Sequence, residues 1–212
     1  MLARVEEQVA DYPAAAMFGL AAAGYDSLYE QLVSCVLSIR TTDEASYPAS
    51  VALFALARAP AAMLALDRDR LVETIPRCTY PGQKADTILG LSREIVDAYG
   101  GRTPADFALL TAFKGVGPKC ANLALGVALG LPAISVDVHV HRVVNRWGLV
   151  ATKEPTQTLR ALEGIVPRER WVDVNRLLMP FGKHVCTGRR PRCGACSVRA
   201  WCDHGRGASA GS

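Results

Sequence analysis

Phe113 to His139 reads FKGVGPKCANLALGVALGLPAISVDVH. A glycine turn, Gly115-Val116-Gly117, leads into Pro118 and Lys119, and an apolar helical run follows to Leu129. Asp137 opens the next helical pattern. Backbone N–H groups exposed in such a turn, together with a helix N-terminus, can hold a nucleic-acid phosphate. A helix N-terminus is electropositive, a poor place for an ammonium and a better one for a neutral, nucleophilic amine. A phosphate grip, a lysine nucleophile and a carboxylate in one short segment point to chemistry on DNA.

Outward from this segment the chain reads as almost all helix. Leu2, Val5 and Val9 recur at helical spacing before Pro13, and Leu28, Leu32, Val33, Val36 and Leu37 form a second apolar stripe. Thr41 and Glu44 fit a capping box that starts a helix after Arg40. Asp67 reads as the cap of a short helix ended by Pro76. A longer helix carries Ala85, Ile88, Leu89, Ile95 and Val96 and closes at Gly100-Gly101. Thr103-Pro104 reads as a cap and first helical position leading to Phe107 and Leu110. Beyond the hairpin, helices are expected from Val138 to Trp147, Thr156 to Ile165 and Trp171 to Met179. No period-2 alternation is sustained, so Ile134-Ser135-Val136 is an extended connector. The final GRGASAGS, from Gly205, reads as a disordered tail.

A second signature lies near the C-terminus. Cys186, Cys193, Cys196 and Cys202 follow the spacing C-x6-C-x2-C-x5-C. Four thiols so close together, in a chain with no recognisable export signal, argue for metal rather than disulfides. Soft sulfur ligands suit zinc or an iron–sulfur cluster, and spacing alone does not separate the two. Cys35 and Cys120 fall within apolar helical patterns and read as small core residues.

The 212 residues carry 24 Lys and Arg against 20 Asp and Glu, a net charge of +4. That balance is only mildly basic, but its distribution is uneven. Lys183, Arg189, Arg190, Arg192, Arg199 and Arg206 gather near the C-terminus with Asp203 as the one acid among them. No apolar run approaches the roughly 20 residues of a membrane span, and MLARVEEQVADYP carries acids where a secretory core would lie. The expected setting is the cytoplasm, on the nucleoid if the source is bacterial, with no membrane partner.

The hairpin and the cysteine quartet together resemble the endonuclease III family of DNA glycosylases, over roughly Tyr29 to Cys202. The resemblance implies an all-α, two-lobed helix-hairpin-helix fold. Residues 21–131 would form a six-helix bundle lobe holding the hairpin; 1–20 and 132–212 would form a second lobe with the cysteine cluster. It also implies a [4Fe-4S] cluster on Cys186, Cys193, Cys196 and Cys202, with the loop Thr187 to Arg192 pinned between ligands so that Arg189, Arg190 and Arg192 meet DNA phosphates. Lys119 and Asp137 would face each other across the DNA cleft. Lys119 would attack C1′ of a flipped nucleotide, displace the base, form an imine and break the strand by β-elimination, with Asp137 stabilising the developing positive charge. The implied enzyme is a monomeric, bifunctional glycosylase and AP lyase acting on damaged double-stranded DNA. A lysine, where base-removing relatives carry serine or tyrosine, favours oxidised pyrimidines as substrates.

Three departures from the family pattern stand out. Pro118 replaces an arginine, which weakens the phosphate grip of Gly115, Val116 and Gly117. Arg40, in Ser38-Ile39-Arg40-Thr41-Thr42-Asp43, replaces the glutamine that fills the gap left by the flipped base. Tyr80, in the loop Arg77 to Lys84, takes the place of a leucine wedge and could intercalate by stacking. Other readings that fit the same residues are a relative of the same fold with a different or narrow damage specificity, a non-catalytic DNA-damage binder and a zinc-dependent DNA-binding module. A pure binder has no need of Lys119 and Asp137.

Overall fold

The computed structural model describes residues 1–207, and among them there is no β-strand. Thirteen α-helices follow in chain order. The first six are α1 (Leu2–Val9), α2 (Ala16–Ala22), α3 (Leu28–Ser38), α4 (Asp43–Phe54), α5 (Pro60–Leu64) and α6 (Arg68–Thr74). Next come α7 (Pro81–Tyr99), α8 (Phe107–Ala112), α9 (Pro118–Leu129) and α10 (Val138–Trp147). The last are α11 (Pro155–Glu163), α12 (Trp171–His184) and α13 (Asp203–Gly207). The fold is all-α, as the periodicity implies.

The chain divides into two compact units. One is Ala16–Leu131; the other is Met1–Ala15 with Pro132–Ser212, of which 208–212 lie outside the described residues. The N-terminal division falls before α2 rather than at residue 20, because Met17 belongs to the core of the bundle and its carbonyl accepts from Gln31 Nε2. The tail expected from Gly205 is helical through Gly207, and the rest of it falls beyond the described residues.

The bundle, Ala16–Leu131, is built around α3. Ten of its residues, Leu28 through Leu37, are buried in succession, so α3 is central and needs partners for its polar groups. Ser27 and Glu30 supply a reciprocal capping box. Glu30, 1% exposed, is paired by Arg58 at 2.6 Å, which a buried carboxylate requires. Tyr29 meets Ser92 at 2.5 Å, and burial pushes its phenol well above the ordinary value. Cys35 on α3 and Cys120 on α9 form a disulfide, with Cα atoms 5.7 Å apart. Both were read as separate core residues. They are buried, but they also cross-link the central helix to the helix that carries Lys119.

The other unit packs α1, α10 and α12 around Val5, Val9, Val140, Val143, Val144, Leu177, Leu178 and Phe181. Trp147 meets Phe181 edge-on, with centroids 5.8 Å apart. Arg176 and Arg170 on or beside α12 hold Glu6 of α1, the closer contact at 2.6 Å.

Two caps differ from expectation. Helix α4 starts at Asp43 with Thr42 as its cap residue, and the Thr41 hydroxyl is engaged elsewhere. Helix α8 is capped by Asp106, whose carboxylate accepts from Leu109 N at 2.9 Å, rather than by Thr103. An aspartate with a local N–H in reach outcompetes the more distant threonine.

Candidate active site and nucleic-acid interface

The hairpin joins α8 to α9 through a turn that only glycine can make. Gly115 adopts φ +86°, and a Cβ there would stand 2.6 Å from Thr87 Cγ2. The Val116 side chain is 4% exposed, and its N–H is spent on Phe113 O at 3.0 Å. Gly115 and Gly117 on either side of it are exposed. Gly117 then caps α9 in an extended conformation, with Pro118 at the first helical position. Lys119 follows, half-buried in the first turn of α9. Proline costs nothing here, since its missing N–H is one that the helix leaves unpaired.

Asp137 is the cap residue of α10. Its Oδ1 accepts from His139 N at 2.9 Å and from Val140 N at 2.8 Å. Both bonds fall on one oxygen, so the second is not consumed by capping. His139 Nδ1 lies 3.1 Å from Arg142 Nη2, and His141 Nδ1 lies 2.7 Å from Thr158 Oγ1. Both histidines are tied into packing rather than presented as ligands.

Cys186, Cys193, Cys196 and Cys202 line one pocket with Trp147, Phe181 and Pro191 among its walls. Gly205 N donates to Cys202 Sγ at 3.3 Å, and Arg146 Nη1 lies 3.5 Å from Cys186 Sγ. Arg146 also clamps the adjoining loop, donating to Thr187 O at 2.6 Å and Gly188 O at 2.7 Å. Thr187 Oγ1 donates to Arg190 O at 2.6 Å, and Arg192 N to Val185 O at 2.9 Å. The loop backbone is thus held from within while Arg189, Arg190 and Arg192 are exposed. No group of three or more His, Cys, Asp or Glu that could hold a single metal ion occurs among the described residues.

A family model described as the HhH-GPD superfamily base excision DNA repair protein matches residues 33–168. Endonuclease III of Thermotoga maritima is 37% identical over 175 residues, covering 82% of each chain. Endonuclease III of Haemophilus influenzae is 36% identical over 180 residues, covering 85% of each. A solved structure of a trapped endonuclease III–DNA covalent intermediate, the estranged-adenine complex, is similar with a TM-score of 0.85. It is 28% identical and covers 98% of this chain and 95% of that one.

The chain belongs to the endonuclease III family. As an endonuclease III-type protein it is a base excision repair enzyme, a DNA glycosylase and AP lyase. No described helix is long and apolar enough to cross a membrane.

Arg40 and Tyr80, expected at the DNA face by resemblance, are both exposed, Tyr80 at 57%. They are also the non-glycine residues with positive φ among those described, at 53° and 55°. Sequence reasoning missed Arg146, which organises the arginine loop, and Lys84, buried beneath Arg40 and Tyr80. Arg142 and Arg146 stand four apart on the apolar-faced α10, a spacing that marks one helix face; it was the available signal. Lys84 had none, since a lysine in a first helical turn usually reads as surface.

Proposed function

We propose that this endonuclease III-type enzyme excises oxidised pyrimidines from duplex DNA through a covalent imine on Lys119. The observation that carries the reading is the placement of Lys119 in the first turn of α9, directly behind a turn that Gly115 alone permits. Such a turn brings backbone N–H groups to a phosphate and the amine to the sugar beside it. Lys119 Nζ attacks C1′ of the extruded nucleotide, the C1′–N bond breaks, and the base leaves with a proton. The C1′–O4′ bond then breaks, the remaining amine proton passes to O4′ as it becomes a hydroxyl, and the opened sugar is left joined to Lys119 as an imine. Loss of the acidified C2′ proton expels the 3′ phosphate. Asp137 stabilises positive charge on the sugar with the carboxylate oxygen that capping leaves over. The similar structure captured as a covalent endonuclease III–DNA intermediate supports a nucleophile of this kind.

The residues present fit a [4Fe-4S] cluster. The donor set is four cysteine sulfurs around one pocket, with the Gly205 N–H and the Arg146 guanidinium directed at two of them. Hydrogen bonds of that kind favour thiolates in an anionic cluster. Cys186, Cys193, Cys196 and Cys202 would hold such a cluster, which would cross-link these four points of the chain. Arg146 and the Thr187 hydroxyl shape the loop so that Arg189, Arg190 and Arg192 meet backbone phosphates with little further ordering. The protein is expected to act as a monomer, in the cytoplasm.

A duplex carrying one thymine glycol tests the reading. The wild-type protein should release the base and nick the strand on the 3′ side of the lesion. Purified protein should be yellow-brown and contain about four irons per chain. A colourless zinc protein that binds the duplex without releasing base contradicts it.

A further inference from the structure

Resting on the reading of Arg40 and Tyr80 as residues that enter the duplex, we propose that Lys84 is a positioning residue. It locks the Arg40 turn to the Tyr80 turn, so that the two side chains enter DNA as one rigid unit. Lys84 is 6% exposed. Its Nζ donates to Leu37 O at 2.5 Å and to Thr41 Oγ1 at 2.6 Å, while its own backbone N–H holds Tyr80 O at 3.1 Å. Thr41 Oγ1 also accepts from Thr79 N at 3.1 Å, and Thr79 Oγ1 donates to Arg40 O at 2.8 Å. Thr41 beside Arg40, Thr79 beside Tyr80 and the carbonyls of both exposed residues are therefore closed into one network around Lys84.

Two features make a merely space-filling role for Lys84 a poor explanation. Burial disfavours its charged form. An apolar side chain would fill the same volume without desolvating a charge. What the ammonium adds is a cation at the C-terminal end of α3, where Leu37 O lies and the helix dipole favours positive charge. Second, positive φ at a non-glycine residue costs on the order of 1–3 kcal/mol and persists where surrounding bonds enforce it. Arg40 and Tyr80 both carry that conformation, and both are joined to Lys84 through the bonds above.

The geometry assigns Lys84 to opening the helix, not to bond chemistry. Full-length Lys84→Met and Thr79→Val are compared with wild type on two substrates: an abasic site in duplex DNA and the same abasic strand alone. The single strand needs no insertion of Arg40 and Tyr80. Single-turnover cleavage of the duplex should fall about tenfold for Lys84→Met and less for Thr79→Val, with single-strand cleavage unchanged. Fluorescence of 2-aminopurine opposite the lesion should show slower base unstacking in step with the loss. Lys84→Arg, which keeps a cation in reach of Leu37 O, should recover part of the duplex rate. The proposal is overturned if both substrates lose activity equally, or if duplex cleavage is unchanged in both variants. Thr79→Val decides the matter if Lys84→Met does not fold. A wild-type protein inactive on both substrates overturns the enzymatic reading and this proposal with it.

Discussion

Asp137 Oδ1 stands 2.8 Å from the backbone N of Val140, making the carboxylate the N-terminal cap of α10. The same group is proposed to act in catalysis, and the two roles are separable. Asparagine caps about as well as aspartate, so Asp137→Asn should melt within a degree or two of wild type while losing about a hundredfold or more in base release. Asp137→Ala should lose the activity and also about 1 kcal/mol of stability. Thermal melts beside single-turnover assays read both. An active Asp137→Asn would leave Asp137 as a cap alone.

Gly115 gives a test of the hairpin. A side chain there meets Thr87 Cγ2 and also forces an L-residue to φ +86°. Gly115→Ala should destabilise the protein by more than about 1 kcal/mol and weaken binding to duplex DNA. Adding Thr87→Ala removes the clash but not the backbone strain, so it should restore part of the stability. Full recovery would mean that φ at this position carries no cost.

The arginine loop should act on phosphates and not on bases. Arg189→Ala and Arg190→Ala should each weaken binding similarly on unrelated duplexes, and each should reduce the slope of log affinity against log salt by about one. Arg146→Met, which releases Thr187 O and Gly188 O, should weaken binding without any direct phosphate contact being removed. Salt slopes measured by fluorescence anisotropy decide this. An unchanged slope in both arginine variants would reduce the loop to solvated charge.

A pH dependence follows from Glu6. Arg176, by hydrogen bond and charge, and Arg170 hold its carboxyl below the ordinary value of 4.5. A depressed carboxyl contributes stability above its unfolded value and loses it as pH falls through the lower folded value. Wild type should therefore exceed Glu6→Gln in melting temperature at neutral pH, and the gap should close in acid below about pH 4. Salt should narrow it as well, since Glu6 and Arg176 are both partly exposed. A gap that widens in acid would contradict the assignment.

What the sequence revealed, and what it hid, follows from range. Helix α10 is bounded by local signals, Asp137 at its start and Gly148 at φ +78° after its end, and its span is the one expected. The hairpin is legible for the same reason, since glycine, proline and lysine act within a single turn. Thr41 looked like half of a capping box because Glu44 is near in sequence, whereas its hydroxyl is taken by Lys84, 43 positions away. The disulfide between Cys35 and Cys120 spans 85 positions, and apolar spacing on either helix says nothing about pairing. The spacing of Arg142 and Arg146 marks one face of α10, but that this face meets Thr187, 41 positions on, is not written in it. Contacts that close long loops leave no local trace, and these are the ones that shape the arginine loop and the Arg40 and Tyr80 turns.

The central claim is that the Lys119 amine becomes covalently joined to the sugar. Borohydride reduction during turnover on an abasic or thymine-glycol duplex measures it directly, because it converts an imine into a stable protein–DNA adduct. Wild type should give the adduct, Lys119→Gln should give none, and peptide mapping should place the DNA on Lys119. An undiminished adduct in Lys119→Gln would put the nucleophile elsewhere and contradict the account.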